Sequence, residues 1–197
     1  MSDETIARAL ESDAPLTAAV HQRDVAHAVA EEHDWHAAAL VGRTVTINRP
    51  RAELYAFWRD FRNLALFMEN VESVTSGEGG RSHWVVKAPA GKTVAWDAVV
   101  TEEAENSFIA WASEEGADVP NSGRIDFRDA GARGTVVTAT INYDPPLGVV
   151  GKVIAKLFQR EPAIQARRDL RRFKQLMETG EIATAAFTQE QLDEERN

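Results

Sequence analysis

Asp144–Gly180, DPPLGVVGKVIAKLFQREPAIQARRDLRRFKQLMETG, is the stretch on which the fold turns. Pro145 and Pro146 cannot donate to a strand ladder, so they end whatever strand precedes them. On a helical wheel at about 100° per residue, Ala163, Ala166, Leu170, Phe173, Leu176 and Met177 share one arc. Arg167, Arg168, Arg171, Arg172 and Lys174 take the other side, so the helix has one face to bury and one to wet. Pro162 suits a first helical position, the bases crowd the C-terminal half where the macrodipole favours cations, and Gly180 supplies a stop. Arg160-Glu161-Pro162 divides the stretch. Ahead of it, Leu147, Val149, Val150, Val153, Ile154, Leu157 and Phe158 fill half a wheel, with Lys152 and Lys156 opposite and Gly148 and Gly151 near the start. That piece reads as a cap on the core or, alternatively, as a portal or membrane-touching surface.

Upstream of this unit the chain is a succession of short alternating runs. Thr44–Asn48 reads as a strand, Pro50 opens a short helix with Leu54, Phe57, Trp58 and Phe61 on its apolar side, and a second helical turn follows at Asn63–Met68. Strand-like runs follow at Val71–Thr75, Ser82–Lys87, Thr93–Glu103, Phe108–Ser113, Gly123–Arg128 and Thr135–Tyr143, separated by turn residues such as Gly77–Gly80 and Gly131–Gly134. Consecutive strands with short turns make an antiparallel meander, and its greasy face needs a cover. The long C-terminal helix is the available one, so an α+β fold with a curved sheet of about seven strands wrapped around that helix is expected.

The chain has 197 residues, 44% of them hydrophobic, enough for one domain with a sizeable core. It has no cysteine, which excludes disulfides and thiolate chemistry and fits a reducing cytoplasm. The longest apolar run is broken by Lys152 and Lys156, so no stable membrane insertion is expected. The net charge of −9 belongs to the flanks: residues 1–42 hold 8 acids and 2 bases, residues 181–197 hold 5 acids and 1 base, and the intervening segment is nearly balanced. An acidic chain whose basic helix face lacks interleaved aromatics is not expected to bind nucleic acid. That face reads as solvated, with a contact to the acidic N-terminal segment, and hence a homo-oligomer formed through it, as the alternative.

Several phrases resemble the START-like helix-grip proteins of the SRPBCC superfamily, in the polyketide cyclase/dehydrase branch: VTINRPRAELYAFWRDFRNLALFMENVESV, HWVVKAPAGKTVAWDAVVTEE, IAWASEEGADVPNSGRIDF, GTVVTATINYDPPLG and EPAIQARRDLRRFKQLMETGEIA. The resemblance implies a helix-grip domain over 43–183, between an acidic, helix-prone extension at 1–42 and an acidic tail at 184–197. It also implies a cavity between sheet and C-terminal helix for a lipid-like, polyketide-like or aromatic small molecule.

Strand parity addresses the same question from the residues. Placing the bulkier set of each strand toward the helix turns Trp84, Val86, Val94, Trp96, Ala98, Val100, Ile109, Trp111, Ile125, Phe127, Val137, Ala139, Ile141 and Tyr143 inward. His83, Lys87, Asp97, Thr101, Arg124, Asp126, Arg128, Thr138, Thr140 and Asn142 then face out. The aromatics either fill a core or, with Ala98, Gly123 and Ala139 leaving room between them, line a ligand site. The candidate ligand-binding residues are Trp84, Trp96, Ala98, Ile109, Trp111, Phe127, Ala139, Ile141, Tyr143, Ile154, Leu170, Phe173 and Met177.

Catalytic signals are sparse. General acid–base chemistry needs a titratable group in the pocket, and the inward set offers Ser82, Ser113 and Tyr143 as its polar members, with His83 and Asp97 on the outer parity. No serine sits in a Gly-x-Ser-x-Gly setting, and there is no phosphate loop. His21, His27, His33 and His36 in the N-terminal segment read as incidental residues of a solvated helix rather than metal ligands. The reading is therefore a binder of an apolar small molecule, without metal or cofactor. A cyclase/dehydratase-like enzyme is the alternative if an acid or histidine reaches the cavity, and an interaction or stress-response module is the third if the core is filled.

Overall fold

The computed structural model of the protein describes residues 39–88, 91–117, 119–143 and 162–182. Among these, the elements in chain order are β1 (Ala39–Ile47), α1 (Arg51–Arg59), a 3₁₀ turn (Phe61–Leu66), β2 (Val71–Ser76), β3 (Arg81–Ala88), β4 (Lys92–Ala104), β5 (Phe108–Ser113), β6 (Asn121–Asp129), β7 (Thr135–Tyr143) and α2 (Pro162–Thr179). The strands form one antiparallel seven-stranded sheet in the order β1-β7-β6-β5-β4-β3-β2. This is the curled sheet gripping a C-terminal helix that the alternating runs require. β1 starts at Ala39, ahead of the expected Thr44, because Ala39–Arg43 continue the ladder opposite Tyr143–Ala139.

The topology explains where the short helices lie. β1 and β2 are the two edges of the sheet, so the chain must cross its full width between Ile47 and Val71. It does so through α1 and the 3₁₀ turn, which bury Leu54, Tyr55, Trp58, Phe61 and Leu64 against the same face that α2 covers. Asp60 caps the 3₁₀ turn by accepting from the Arg62 N–H at 3.3 Å.

Inward parity holds along β3 to β7. Trp84, Val86, Val94, Ala98, Ile109, Ile125, Phe127, Val137 and Ala139 are buried, whereas His83, Lys87, Asp97 and Thr101 are exposed; Thr138 and Asn142 of β7, expected to face out, are buried too. Two bulges interrupt the ladder, at Glu72 in β2 and at Thr101 in β4. The second changes the phase of the strand end. Glu103 is thereby turned toward α1, where it accepts from the Tyr55 hydroxyl at 3.2 Å and pairs with Arg59 at 2.5 Å.

α2 is fastened hardest near its C-terminus. Lys174 Nζ donates to the Thr46 carbonyl and to Glu178, both at 2.7 Å; Glu178 Oε1 accepts from the Asn48 N–H at 2.7 Å; and an Arg49 guanidinium N–H reaches the Glu178 carbonyl at 2.9 Å. The backbone N–H of Asn48, with Lys174 beside it, holds the Glu178 carboxyl below the usual carboxylate range. The basic face expected to be uniformly solvated is therefore divided: Arg167, Arg168 and Arg171 are exposed, while Lys174 and Arg172 are half-buried and paired, the latter with Glu69 at 3.6 Å. No helix among the described residues is long and apolar enough to cross a membrane.

Candidate ligand-binding site

Between the sheet and α2 lies a cavity of about 180 Å³. β3, β4 and β5 contribute Trp84, Val86, Trp96 and Trp111; β7 contributes Ala139 and Ile141; α2 contributes Gln165, Ala166, Asp169 and Leu170. The rest of the wall comes from the crossing segment, through Trp58, Phe61, Leu64, Met68, Asn70 and Val71, and from Asn121 at the start of β6.

Trp84 and Trp96 are cross-strand partners in register. Their rings lie 4° from parallel with centroids 6.2 Å apart, so the two indoles stack on each other across adjacent strands. The Trp84 orientation is fixed from behind: its Nε1–H donates to Ser82 Oγ at 2.9 Å, and Ser82 in turn is 3.4 Å from the Ala98 carbonyl. Ser113 Oγ accepts from the Asn121 N–H at 3.0 Å. The two inward serines are thus engaged in positioning their neighbours.

Below the cavity the aromatics close up. Phe173 is fully buried with its ring 4.9 Å from Phe67, 5.1 Å from Trp58 and 5.8 Å from Phe57. Leu170 is the floor of the open space and Phe173 is the plug beneath it.

The candidate residues thus separate into groups. Trp84, Trp96, Trp111, Ala139, Ile141 and Leu170 border the cavity, whereas Ala98, Ile109, Phe127 and Phe173 sit in the solid core, and Met177 packs beside that core farther along α2. The side chain of Tyr143 and all of Ile154 lie outside the described residues, as does the rest of the expected portal at 147–158. The expected room over Gly123 is taken. The Trp111 indole lies there, and a Cβ on the glycine would fall 2.7 Å from its Cη2. Ala98 likewise makes room for packed neighbours and borders no open space.

Among the described residues the one acid in the wall is Asp169, three residues after Ala166 and one before Leu170 on the helix arc that faces the sheet. Its Oδ1 accepts from Gln165 Nε2 at 2.9 Å and from the Glu69 N–H at 3.3 Å, tying α2 to the turn before β2. Burial lifts its carboxyl to about 6, an effect opposed by those two hydrogen bonds and by Arg172. His83 and Asp97 are instead on the outer face, hydrogen-bonded to each other at 2.8 Å. The helix wheel carried the signal for Asp169, since Ala166, Asp169, Leu170 and Phe173 follow i, i+3, i+4, i+7 spacing. The contribution of Trp58, Phe61 and Leu64 had no local signal, because it depends on β1 and β2 lying at opposite edges.

A sequence profile described as polyketide cyclase/dehydrase and lipid transport matches residues 47–171. The chain belongs to this family. A polyketide cyclase/dehydrase-type domain therefore spans the elements from the end of β1 into α2. Among solved structures, a Deinococcus radiodurans protein is 41% identical, covers 73% of this chain and 100% of its own, and superposes with a TM-score of 0.59. A Thermus thermophilus protein is 27% identical over 69% of this chain and 94% of its own, with a TM-score of 0.57. The Zhui aromatase/cyclase from a Streptomyces species shares the family fold at 17% identity, covering 74% of this chain and 99% of its own, with a TM-score of 0.56. No curated protein matches the chain.

Proposed function

We propose that the protein binds an apolar small molecule in the cavity between the sheet and α2. The observation that carries this reading is a space of about 180 Å³ walled by Trp58, Trp84, Trp96 and Trp111, whose polar side chains among the described residues are Asn70, Asn121, Gln165 and Asp169. An apolar wall with a few directed polar groups is the usual composition of a small-molecule site. Membership in a family described by both cyclase/dehydrase chemistry and lipid transport supports it. Titration with Nile red tests it: saturable binding is expected in the wild type and its loss in Ala139→Phe, which fills the space. Absence of saturable binding in the wild type overturns the reading.

A cyclase/dehydratase-like enzyme is the second reading, and Asp169 is the observation that favours it. A carboxyl held near 6 exists in both protonation states near neutral pH, the condition for general acid–base work. In a dehydration its carboxylate would take the proton from the carbon beside the ketone and, as the acid, pass it to the departing hydroxyl, which leaves as water while the carbon–carbon double bond forms and the carboxylate is restored. Turnover of a β-hydroxyketone probe, lost in Asp169→Asn while Nile red binding persists, would establish this role. Unaltered turnover in that variant would reject it.

A further inference from the structure

The outer face of the sheet is more closed than its place in the fold requires. α1, the 3₁₀ turn and α2 all pack on the inner face, through Trp58, Leu64, Leu170 and Phe173. Yet the outward row of β7 is buried: Val136, Thr138 and Asn142 are 3%, 5% and 2% exposed. Asn142 stands opposite Ser122 of β6, whose short side chain cannot shade it and which is itself buried. A sheet face with nothing laid on it is solvated, so this row has a cover from beyond the described residues.

The same row has hydrogen-bonding capacity to fill. Among the described residues both amide atoms of Asn142, Oγ1 of Thr140 and Oδ2 of Asp126 are buried without a partner. Oδ1 of Asp126 accepts from Arg124 Nε at 2.8 Å, and that guanidinium lies 3.5 Å from the Phe108 ring centroid. Buried polar groups are nearly always partnered. An asparagine amide offers a donor and an acceptor side by side, which is what a peptide group complements.

Three stretches of this chain could supply that peptide. Residues 144–161 must carry the chain from the end of β7 to the start of α2 on the inner face. Residues 183–197 depart beyond Glu178, which is bonded to Asn48, a strand length of about 27 Å from Asn142. Residues 1–38 instead lead directly into Ala39, and Leu40 is the register partner of Asn142. This segment carries 8 acids and 2 bases, whereas the outward charges of β6 are Arg124, Asp126 and Arg128, with cations in excess. Ten of its residues are alanine, short enough for close approach to a row of threonine and asparagine.

We propose that the acidic N-terminal segment, residues 1–38, docks in cis along the outer face of β7 and β6, with its main chain pairing the Asn142 amide, so that the sheet is covered on both sides.

The test is paramagnetic relaxation in the full-length protein, whose lack of cysteine lets one introduced thiol carry a nitroxide. Asp97→Cys puts the label on the outer face three strands, about 14 Å, from β7. Arg168→Cys puts it on the exposed face of α2. Amide signals of residues 1–38 should lose at least half their intensity with the first label and keep it with the second. They should also keep it when isotope-labelled, nitroxide-free chain is mixed with unenriched Asp97→Cys chain carrying the nitroxide. Asn142→Leu should at least halve the broadening in a folded protein; its persistence there overturns the pairing with Asn142. Broadening from the α2 label alone would put the segment on the basic helix face. Broadening in the mixed sample would make the occupant a second copy, and broadening confined to 144–161 or 183–197 would make it another segment. Each of these results, or no broadening from either label, overturns the docking.

Discussion

Trp111 and Gly123 share one space: the indole of the first lies across the backbone of the second, on cross-strand partners in β5 and β6. The glycine serves the placement of a neighbour rather than a turn. Gly123→Ala should therefore push the Trp111 ring off the strand, at a cost of about 1–3 kcal/mol for overpacking. A lower midpoint in urea, together with a shifted tryptophan emission maximum, is the expected result. An unchanged midpoint would mean that the indole relocates freely.

Phe173 should be the most costly truncation in α2. It meets Phe57, Trp58 and Phe67 at ring-centroid distances of 4.9–5.8 Å, so Phe173→Ala opens a void that three rings cannot easily close. A loss of about 3–5 kcal/mol is expected from denaturant melts. Because the void would join the space above Leu170, oleate binding should rise in this variant if it remains folded.

Asp169 predicts a pH signature. Burial holds its carboxyl at about 6, above the ordinary carboxylate value, so the folded chain keeps this proton more tightly than the unfolded chain. The stability this group contributes is full below about pH 4 and is lost as pH rises through about 6. Asp169→Asn should therefore gain on wild type by roughly 2 kcal/mol between pH 4 and pH 7. Glu103 and Glu178, held low by their hydrogen bonds, act in the opposite sense but equally in both proteins. A stability difference that does not change with pH would contradict the assignment.

The outer pair His83–Asp97 should matter little. Both side chains are about half exposed, and exposed pairs contribute on the order of 1 kcal/mol or less. His83→Ala and Asp97→Ala should leave Nile red binding unchanged and shift the melting midpoint only slightly. A large loss of binding in either would place the functional face on the wrong side of the sheet.

The fold was legible because parity and helical period agree at every level. The alternation in HWVV, TVAWDAVV and GRIDF sorts residues to faces without reference to their partners, and the Leu170, Phe173, Leu176 and Met177 arc identifies the element those faces need. The site was legible only in part. Trp84, Trp96 and Trp111 came from parity alone, but an open space is a difference between neighbours, and local pattern does not reveal which small residue borders it. Gly123 and Ala98 are small because Trp111 and the packed core need the room, whereas Ala139 borders the opening. Asp169 was hidden by its setting among arginines, where a charged residue reads as surface.

The fastening of α2 to β1 carries a kinetic consequence. Lys174 and Glu178 rivet the helix to Thr46 and Asn48, and Phe173 stoppers the chamber on that side. That side then offers no passage, so a guest of the kind proposed above would have to come and go elsewhere, and loosening the rivet, as in Lys174→Ala, should quicken its exchange.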